Sequence, residues 1–404
     1  GVEMREDTKD KQTGMPFKYR ANASGIWVPE GCHLDQNGVM SGESRVTRSA
    51  SFWQTGPSAA FQTWNQLVYK YLAAYQKYEQ MGDLLDLQTT VNTDQGRPFV
   101  PPNEQSGAVN DFIDRKKDLG VKIVPPWVRF LIATIDVQGG VKTARFEVQV
   151  LGFGKELESV VIDRFNVQKS RRVDPENPDK FVRVAPGIYL EDWELITEKV
   201  IKKTYQIDDG SGRYMPIMTT ACDSGGEEGV TDTAYKYYRH LKQEQLHRRF
   251  MLVKGRGTGV IVEKRYPDNT KRNDRKAEAK GDVPVLFLNT DRVKDIVWNA
   301  LIREQSGWRY CHFPDWLPES FFDELVAEKK LPNGHWEKVS RGSRNESFDL
   351  YVYAWAVLYE KKADQINWDR PPSWAVPLEE SGELLTNEND ELAPPKRRRR
   401  RSSV

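Results

Sequence analysis

The sequence predicts an α/β fold built on a mixed β-sheet with helices on both faces. Three apolar, β-favouring stretches follow one another closely between residues 130 and 163, which is typical of an antiparallel meander. Further along the chain such stretches alternate with amphipathic helical ones, which is typical of βαβ units. With 38% hydrophobic residues in 404, the chain can also bury a large core.

The first 128 residues predict helix and loop rather than sheet. Residues 1–50 are polar and broken by Gly and Pro, with one short strand predicted at 25–29. Residues 57–81 carry apolar and aromatic side chains at spacings of three and four, which predicts an amphipathic helix whose aromatic face packs in a core. Residues 82–128 are interpreted as a linker that contains a basic helix near 109–119.

Five strands and five helices are predicted after residue 128. The strands are 130–135, 145–153, 159–163, 214–222 and 250–253. The helices are 191–205, 231–245, 291–306, 318–329 and 345–361. Three consecutive strands, followed by alternating helices and strands, form the layout of an RNase H-like fold, a mixed five-stranded sheet flanked by helices.

Composition excludes several classes of protein. No apolar run approaches the roughly 20 residues of a membrane span, and no signal-peptide pattern is present. The three cysteines, Cys32, Cys222 and Cys311, form no CxxC pair, so neither a disulfide framework nor a zinc site is indicated. A reducing, cytoplasmic setting fits this usage best. The Pro- and charge-rich segment 366–404, which ends in KRRRRRSSV, predicts a disordered basic tail.

Three carboxylates stand at the ends of predicted elements. Asp136 follows the first strand, Asp223 follows the fourth, and Asp349 lies in the first turns of the last helix. That helix is apolar nearly all round, so Asp349 should face the interior, where an unpaired carboxylate is costly. One or two Mg²⁺ or Mn²⁺ ions, which prefer hard oxygen ligands, would offset this cost. Two such ions would suit hydrolysis of a phosphodiester.

Simpler interpretations stay open for each acid. An Asp at a strand end is commonly a turn or cap residue, and Asp349 could pair with a buried arginine. Asp163, Glu227 and Asp291 are weaker candidates, for which a surface or turn position is the simpler interpretation. The double glycines that follow two of the acids would leave room for a substrate backbone.

Seven segments in collinear order resemble the C-terminal part of the terminase large subunit of tailed bacteriophages, in the lambda-like family. They are SFWQTGPSAAFQTWNQLVYKYLAA (51–74), VNTDQGRPF (91–99), IDVQGG (135–140), FEVQVLGFG (146–154), ACDSGG (221–226), CHFPDW (311–316) and RNESFDLYVYAWA (344–356). Members of that family join an ATPase, which drives DNA into the procapsid, to an RNase H-like nuclease, which cuts concatemeric DNA.

The resemblance implies that Asp136, Asp223 and Asp349 are the catalytic, metal-binding acids of the nuclease, with two Mg²⁺ or Mn²⁺ ions. Its implied partners are double-stranded DNA, the portal protein and the small terminase subunit. The implied location is the host cell cytoplasm, at the procapsid and away from any membrane.

The resemblance also implies three domains. Residues 1–128 would be a helical and loop remnant of the ATPase region with its linker, 129–365 the nuclease, and 366–404 the basic tail. No GxxxxGK[ST] phosphate loop occurs in the chain, so we expect no ATPase activity from it alone. The motor is expected upstream of Gly1.

Residues 254–282 hold nine Lys or Arg and predict a DNA-contacting loop. The candidate DNA-binding residues are Lys254, Arg256, Lys264, Arg265, Lys271 and Arg272. Five acidic residues in the same segment leave a solvated loop as the alternative. Lys294 and Arg303 would extend the basic track, and the terminal KRRRRR run would bind DNA or an acidic surface such as the portal ring.

The sequence therefore favours a metal-dependent DNA endonuclease that cuts replicated phage DNA during packaging. The alternative is a DNA-gripping and portal-docking module of the packaging motor with little cleavage of its own. A resolvase- or integrase-like nuclease on the same fold is a third interpretation, against which the terminase-like flanking segments argue.

Overall fold

The computed structural model describes residues 6–44, 46, 54–59, 61–99, 108–225, 228–270, 279–331 and 333–387. Three candidate residues, Glu227, Lys271 and Arg272, lie outside this part, as does the arginine-rich end of the tail. The chain divides into two compact units, residues 1–101 and 102–404. The domain limits drawn from the sequence remain predictions.

The first unit is mainly helical. Its helices and strands are α1 (Phe17–Ala23), β1 (Cys32–Leu34), β2 (Met40–Gly42), α2 (Trp64–Met81) and α3 (Leu85–Thr89). β1 and β2 form an antiparallel hairpin, so the strand predicted at 25–29 is wrong in position. α2 begins at Trp64 rather than at residue 57, because Thr63 and Gln66 form a capping box at its N-terminus.

Only part of the surface of α2 is buried. Ala74 packs with Leu84, Leu87 and Phe99 in a small apolar cluster. Large apolar side chains elsewhere on this segment are exposed, namely Phe61, Val68, Tyr69, Leu72 and Tyr75. The prediction that its aromatic face is packed core is therefore wrong for much of the helix.

The described part of the second unit holds one large sheet, two hairpins and six helices. Its strands are β3 (Lys116–Lys117), β4 (Ile123–Val124), β5 (Val128–Gln138), β6 (Arg145–Gly154), β7 (Ser159–Val167), β8 (Lys169–Asp174), β9 (Asn177–Arg183), β10 (Thr204–Ile207), β11 (Tyr214–Asp223), β12 (Phe250–Arg256), β13 (Val262–Arg265), β14 (Val285–Asn289), β15 (Cys311–Pro314), β16 (Glu328–Lys330) and β17 (Trp336–Lys338). Its helices are α4 (Ala108–Asp114), α5 (Leu190–Ile196), α6 (Val230–Gln243), α7 (Thr290–Leu301), α8 (Glu319–Leu325) and α9 (Glu346–Glu360). Strands β8 and β9 form one hairpin, and β16 and β17 form the other.

The five predicted strands are adjacent in space, in the order β7–β6–β5–β11–β12. β5, β6 and β7 pair antiparallel, whereas β11 is parallel to both β5 and β12. The sheet is mixed, is flanked by helices and is compatible with an RNase H-like nuclease fold.

The sheet is larger than predicted, since it has eleven strands among the described residues rather than five. β14 and β13 extend it beyond β12, and β15 and β3 extend it beyond β7. Strand β10 pairs with the first residues of β11 and with β4. These added strands are short, and several come from segments that carry no clear alternation in the sequence.

The central strands are buried on both faces. Leu131 and Ile135 of β5 belong to the core that α5 and α6 cover, whereas Phe130 and Ile132 belong to the core that α7, α8 and α9 cover. Because successive residues of a strand alternate between the two faces, Asp136 lies on the face of Phe130 and Ile132. This is the face on which α9 packs.

Two predicted segments have different structures from those expected. The helix predicted at 191–205 ends as α5 at Ile196, continues as a single π-helical turn over Thr197–Ile201, and is followed by β10. In the segment predicted as a disordered tail, Ala375 and Leu378 are buried in the two cores. The prediction of disorder is therefore wrong for residues 366–387.

Replacement of the Trp193 side chain should clearly reduce the stability of the second unit. The Trp193 ring centroid lies 5.1 Å from that of Phe146 and 5.5 Å from that of Tyr237, and its indole N–H donates to the Pro186 carbonyl oxygen at 2.9 Å. Trp193→Ala should lower the free energy of unfolding by about 3–5 kcal/mol. Urea unfolding followed by circular dichroism measures the loss. The control is Val141→Ala, because Val141 is 97% exposed and should change stability by no more than about 0.5 kcal/mol.

Candidate functional site

Asp136 and Asp223 lie at the ends of neighbouring parallel strands. Cys222 of β11 pairs with Ile135 of β5, and the two aspartates follow directly. Ala221 belongs to the core beneath α9, and so the alternation of the strand brings Asp223 to that same face. Both carboxylates are therefore on the α9 face of the sheet.

Asp349 reaches this face from α9. The helix is buried on nearly all sides, as predicted, and it packs on β5, β6 and β11. The Asp349 side chain is 22% exposed, so it lies at the margin of the core rather than inside it. Tyr353 lies one turn further along the helix, on the same side as Asp349.

The three acids act on one another electrostatically. The pKa of Asp136 is raised to about 7, first by burial and then by the charges of Asp349 and Asp223. Burial also raises the pKa of Asp223, with Asp349 adding to the shift. Burial and all three acids raise the pKa of the Tyr353 hydroxyl. The three predicted acids are thus close enough for each charge to oppose the others.

Hydrogen bonds hold each carboxylate in place. The side-chain amide of Gln138 donates to Asp136 Oδ2, and the backbone N–H of Gly225 donates to Asp223 Oδ1 at 3.1 Å. The side-chain amide of Asn345 donates to Asp349 Oδ2 at 2.7 Å. The acids therefore have fixed orientations in the fold.

A buried lysine lies beside Asp349. Lys294 is 5% exposed, its Nζ lies 3.2 Å from Asp349 Oδ1, and it also forms an ion pair with Glu328. Burial raises the pKa of Asp349 first of all, and the Lys294 charge opposes that shift. The prediction that Lys294 extends a DNA-binding track is wrong, because its ammonium group is buried and paired.

The lysine could have been found from the sequence. Lys294 and Asp295 interrupt the apolar run of α7, and both are buried. Asp295 in turn accepts hydrogen bonds from Lys330 and from the Trp336 indole N–H, the latter at 2.9 Å. Adjacent opposite charges inside an apolar helical pattern predict buried, paired groups.

Arginines and glutamates form a network on the β6 side of the acids. Glu147 of β6 pairs in register with Asp136 and therefore shares its face. Arg145 donates to Glu147 and to Glu346, at 2.9 Å in each case. Arg344 also donates to Glu346 Oε2, at 3.1 Å. Because Arg145 lies on β6 and Glu346 on α9, the Arg145 contact fastens the start of α9 to β6.

A second part of this network fixes α9 against α8. Arg164 of β7 donates to Glu324 of α8 at 2.8 Å. Glu324 also accepts hydrogen bonds from the backbone N–H and the hydroxyl of Ser347, at 3.0 Å and 2.6 Å. The helix that carries Asp349 is thus positioned by charged groups on two sides.

The acids match a divalent cation in the kind of donor they offer. Carboxylate oxygens are the ligands that Mg²⁺ and Mn²⁺ prefer, and a cation would offset the repulsion that raises the pKa of Asp136. In the described part of the chain, no group of three His, Cys, Asp or Glu side chains is arranged to hold a metal ion as it stands. The acids thus offer oxygen donors of the kind that such a cation binds. In this structure Lys294 and Asn345 each contact one oxygen of Asp349.

The weaker candidates have other partners. Asp163 accepts hydrogen bonds from Lys203 at 2.7 Å and from the Tyr205 hydroxyl at 2.9 Å. Asp291 accepts from the backbone N–H of Trp336 at 2.8 Å. These contacts favour the simpler, structural interpretation of both residues.

The described residues of the predicted DNA-binding loop are mostly engaged with acids. Arg256 and Arg265 both contact Glu263, at 2.9 Å and 2.7 Å, and Lys264 forms an ion pair with Glu360. Lys254 lies near enough to Asp223 for its charge to lower the pKa of that carboxyl group. Pairing leaves the described part of this segment with less free positive charge than its composition indicates.

Gly140, one of the two glycines that follow Asp136, has a backbone conformation that favours glycine. It lies in the turn between β5 and β6 with φ 88°, in the left-handed region that glycine adopts without steric cost. The turn geometry therefore accounts for this glycine, and room for a substrate backbone stays a prediction.

Comparison with known proteins identifies the family. The family model described as terminase large subunit gpA, endonuclease domain, matches residues 49–368. Because the match covers most of the chain, this chain belongs to that family. Membership supports a role as a DNA endonuclease in phage packaging and confirms the terminase prediction at the level of the large subunit's nuclease.

One curated relative is similar over a shorter stretch. The chain is 24% identical over 168 residues to the aspartate–tRNA ligase of Buchnera aphidicola subsp. Baizongia pistaciae (strain Bp), which covers 39% of this chain and 27% of that protein. The chain thus matches about a quarter of the length of that relative. A similarity of this extent carries no activity over to this chain.

No helix among the described residues is both long and apolar enough to cross a membrane.

The raised pKa of Asp136 predicts a pH dependence of stability without metal. The unfolded chain should titrate at this residue near 3.8 and the folded chain at about 7. The native state therefore holds more protons between these values, and the free energy of unfolding should fall as pH rises from about 4 to 7, by up to ~1.4 kcal/mol per pH unit. Asp136→Asn should flatten this dependence in urea unfolding with EDTA.

Asp179→Asn is the control for this measurement. Asp179 lies exposed on the β8–β9 hairpin, so its replacement should leave the slope unchanged. Equal slopes for the native chain and Asp136→Asn would show that Asp136 is not the group that takes up the proton.

Lys294→Met should destabilise the second unit by about 3–5 kcal/mol, because it leaves the buried carboxylate of Glu328 and the partly buried carboxylate of Asp349 without their cation. Chemical denaturation measures the loss. Adding Glu328→Gln should recover part of the stability, since one of the stranded charges is then gone. Lys199→Met, at an exposed lysine, is the control, and a loss of equal size there would contradict the explanation.

Proposed function

We propose that this chain is the metal-dependent endonuclease of a lambda-like phage terminase, which cuts concatemeric viral DNA during packaging. Double-stranded DNA is the substrate. The portal protein and the small terminase subunit are the partners proposed on the basis of the family. The reaction is hydrolysis of a phosphodiester bond.

The observation that carries this proposal is the convergence of Asp136, Asp223 and Asp349 on one face of the sheet. Burial is the largest cause of the raised pKa of Asp136, and the charges of Asp349 and Asp223 raise it as well. Three acids that repel one another at the edge of a buried sheet are costly unless a cation is present. Family membership over residues 49–368 supports the same function.

Asp136, Asp223 and Asp349 would hold the cations. Two Mg²⁺ or Mn²⁺ ions, when bound, would supply an activated water and stabilise the leaving oxygen. Asp136 and Asp223 are fixed by their strands, so their spacing is set by the register of β5 and β11. Asp349 depends on α9, whose start is fastened to β6 and α8 by the charged network.

Lys294 would act as a positioning residue for Asp349. Its ammonium group and the Asn345 amide each contact one oxygen of this carboxylate, at 3.2 Å and 2.7 Å. Both groups are donors, so they favour the ionised form of the carboxylate against the effect of burial, and they leave the second lone pair of each oxygen for another ligand.

A specific observation also favours the second candidate function, a DNA-gripping and portal-docking module with little cleavage of its own. Among the described residues, no three acidic, His or Cys side chains are arranged to hold a metal as they stand.

Asp→Asn at position 136, 223 or 349 should abolish metal-dependent cleavage and leave DNA binding intact. Each change removes one charge from the proposed cation site while keeping the shape of the side chain. Nicking of supercoiled plasmid with Mn²⁺ or Mg²⁺ measures cleavage, and fluorescence anisotropy in EDTA measures binding. Asp179→Asn, on the exposed hairpin, is the matched control and should cut at the native rate.

A thermal measurement separates metal binding from catalysis. Mn²⁺ should raise the Tm of the native chain and of Asp179→Asn, but it should raise that of Asp136→Asn much less, because stabilisation follows affinity for the folded state. Cleavage by Asp136→Asn at the native rate would overturn the assignment. Tight DNA binding by the native chain without nicking at any Mn²⁺ concentration would favour the docking module instead.

A further inference from the structure

A cleft of about 570 Å³ opens beside the candidate nuclease site. Strands β6 and β7 form one wall, through Arg145, Glu147 and Arg164, and α8 contributes Glu324 to another. Arg344, which precedes α9, lines it as well. We refer to it as the β6–α8 cleft.

The β6–α8 cleft lies on the same face of the sheet as the three acids. Glu147 lines the cleft and pairs in register with Asp136, so the two side chains share a face. Arg145 and Arg344 line the cleft and both bind Glu346, whose charge raises the pKa of Asp136 after burial and the two other acids. A ligand in the cleft would therefore be a close neighbour of the acids.

The lining of the cleft is basic. Five basic and two acidic side chains line it. Three of the arginines are balanced by the glutamates of the network, which leaves Lys142 and Arg183. Neither has a carboxylate partner among the described residues; the guanidinium of Arg183 donates to the backbone oxygen of Ala144 at 3.1 Å. The cleft thus offers free cations to an anion.

Its remaining walls are partly aromatic. Phe165, Trp316 and Phe321 line the cleft beside the charged groups. Aromatic and cationic side chains together suit a ligand in which phosphates alternate with sugar rings and bases. A small inorganic anion would use only the cations.

The loop at 254–282 is a poorer anion site among the described residues. Arg256, Lys264 and Arg265 are all paired with glutamates there. Lys142 and Arg183 are both exposed and carry no such pair. Apart from Lys254, whose charge acts on Asp223, the free positive charge that the described residues place next to the acids is therefore on the β6 side of the site.

We infer that the β6–α8 cleft binds the phosphodiester backbone of DNA beside the bond to be cut, with Lys142 and Arg183 as its phosphate contacts. The position of the cut relative to the cleft rests on the proposed endonuclease function. Binding of DNA in the cleft does not.

The test is a comparison of two double variants. Lys142→Ala/Arg183→Ala removes the two free cations of the cleft, and Lys199→Ala/Lys202→Ala removes two exposed lysines elsewhere on the second unit. Fluorescence anisotropy with a labelled 20-base-pair duplex in EDTA, repeated from low to moderate KCl, gives the Kd and its salt dependence. EDTA prevents cutting, so binding is measured alone.

The cleft variant should bind the duplex on the order of tenfold more weakly at low salt, and its slope of log K against log salt should fall by up to about 2, because each lost phosphate contact removes about 0.9. The control pair should stay within about twofold of the native chain. Lys142→Glu alone, at an exposed turn residue, should weaken binding in the same direction and guards against a loss caused by misfolding.

Competition with inorganic phosphate tests whether the cleft binds the backbone of DNA or a free phosphate ion. Phosphate should displace the duplex no better than KCl of equal ionic strength; selective displacement would mean a site for a free anion and would overturn the inference. Unchanged affinity and salt slope in the cleft variant would overturn it as well.

Cleavage is measured separately with saturating duplex and Mn²⁺. The control pair should keep the native rate, whereas the cleft variant should need more duplex to reach saturation, because it lacks two phosphate contacts. If the native chain binds DNA through the cleft but does not cut, the endonuclease proposal fails and the cleft assignment stands. If the native chain cuts DNA but the cleft variant binds the duplex with native affinity, the cleft assignment fails and the endonuclease proposal stands.

Discussion

Burial of negative charge is the constraint on which the nuclease unit depends. Two central strands of a sheet that is apolar on both faces carry an aspartate at or near their ends, and the helix that packs across them brings a third. Burial and mutual repulsion oppose ionisation of these groups. Much of the polar structure around them consists of groups that reduce this cost, by donating hydrogen bonds or by supplying positive charge.

These compensating groups also set the position of α9. The helix gains little orientation from apolar packing alone, since apolar side chains surround it on nearly all sides. The ion pairs of Arg145 and Arg164, together with the Lys294 contact, are directional and fix its rotation and its start. Charged networks of this kind are weak evidence for stability, but they are well suited to holding one side chain in one place.

The strands and helices that a short sequence window encodes could be predicted, and those that depend on distant partners could not. The alternation of β6 and the apolar faces of α6 and α9 are visible locally, as are the apolar runs that lead to Asp136 and Asp223. β13, β14 and β15 are short and are stabilised by pairing with strands far away in the chain, so their own residues carry little signal. The burial of Lys294 is harder to predict, because a lysine in a helix is usually exposed and only its apolar neighbours indicate that this one is buried.

The register between β5 and β11 also limits the insertions and deletions that the protein can tolerate during evolution. A single inserted or deleted residue within either strand would move its aspartate to the opposite face, into the core beneath α5 and α6, while every later side chain of that strand would also change sides. Insertions in the β5–β6 turn or in the β8–β9 hairpin carry no such penalty. Length variation among descendants should therefore gather in the connections, and the spacing within these two strands should be inherited unchanged.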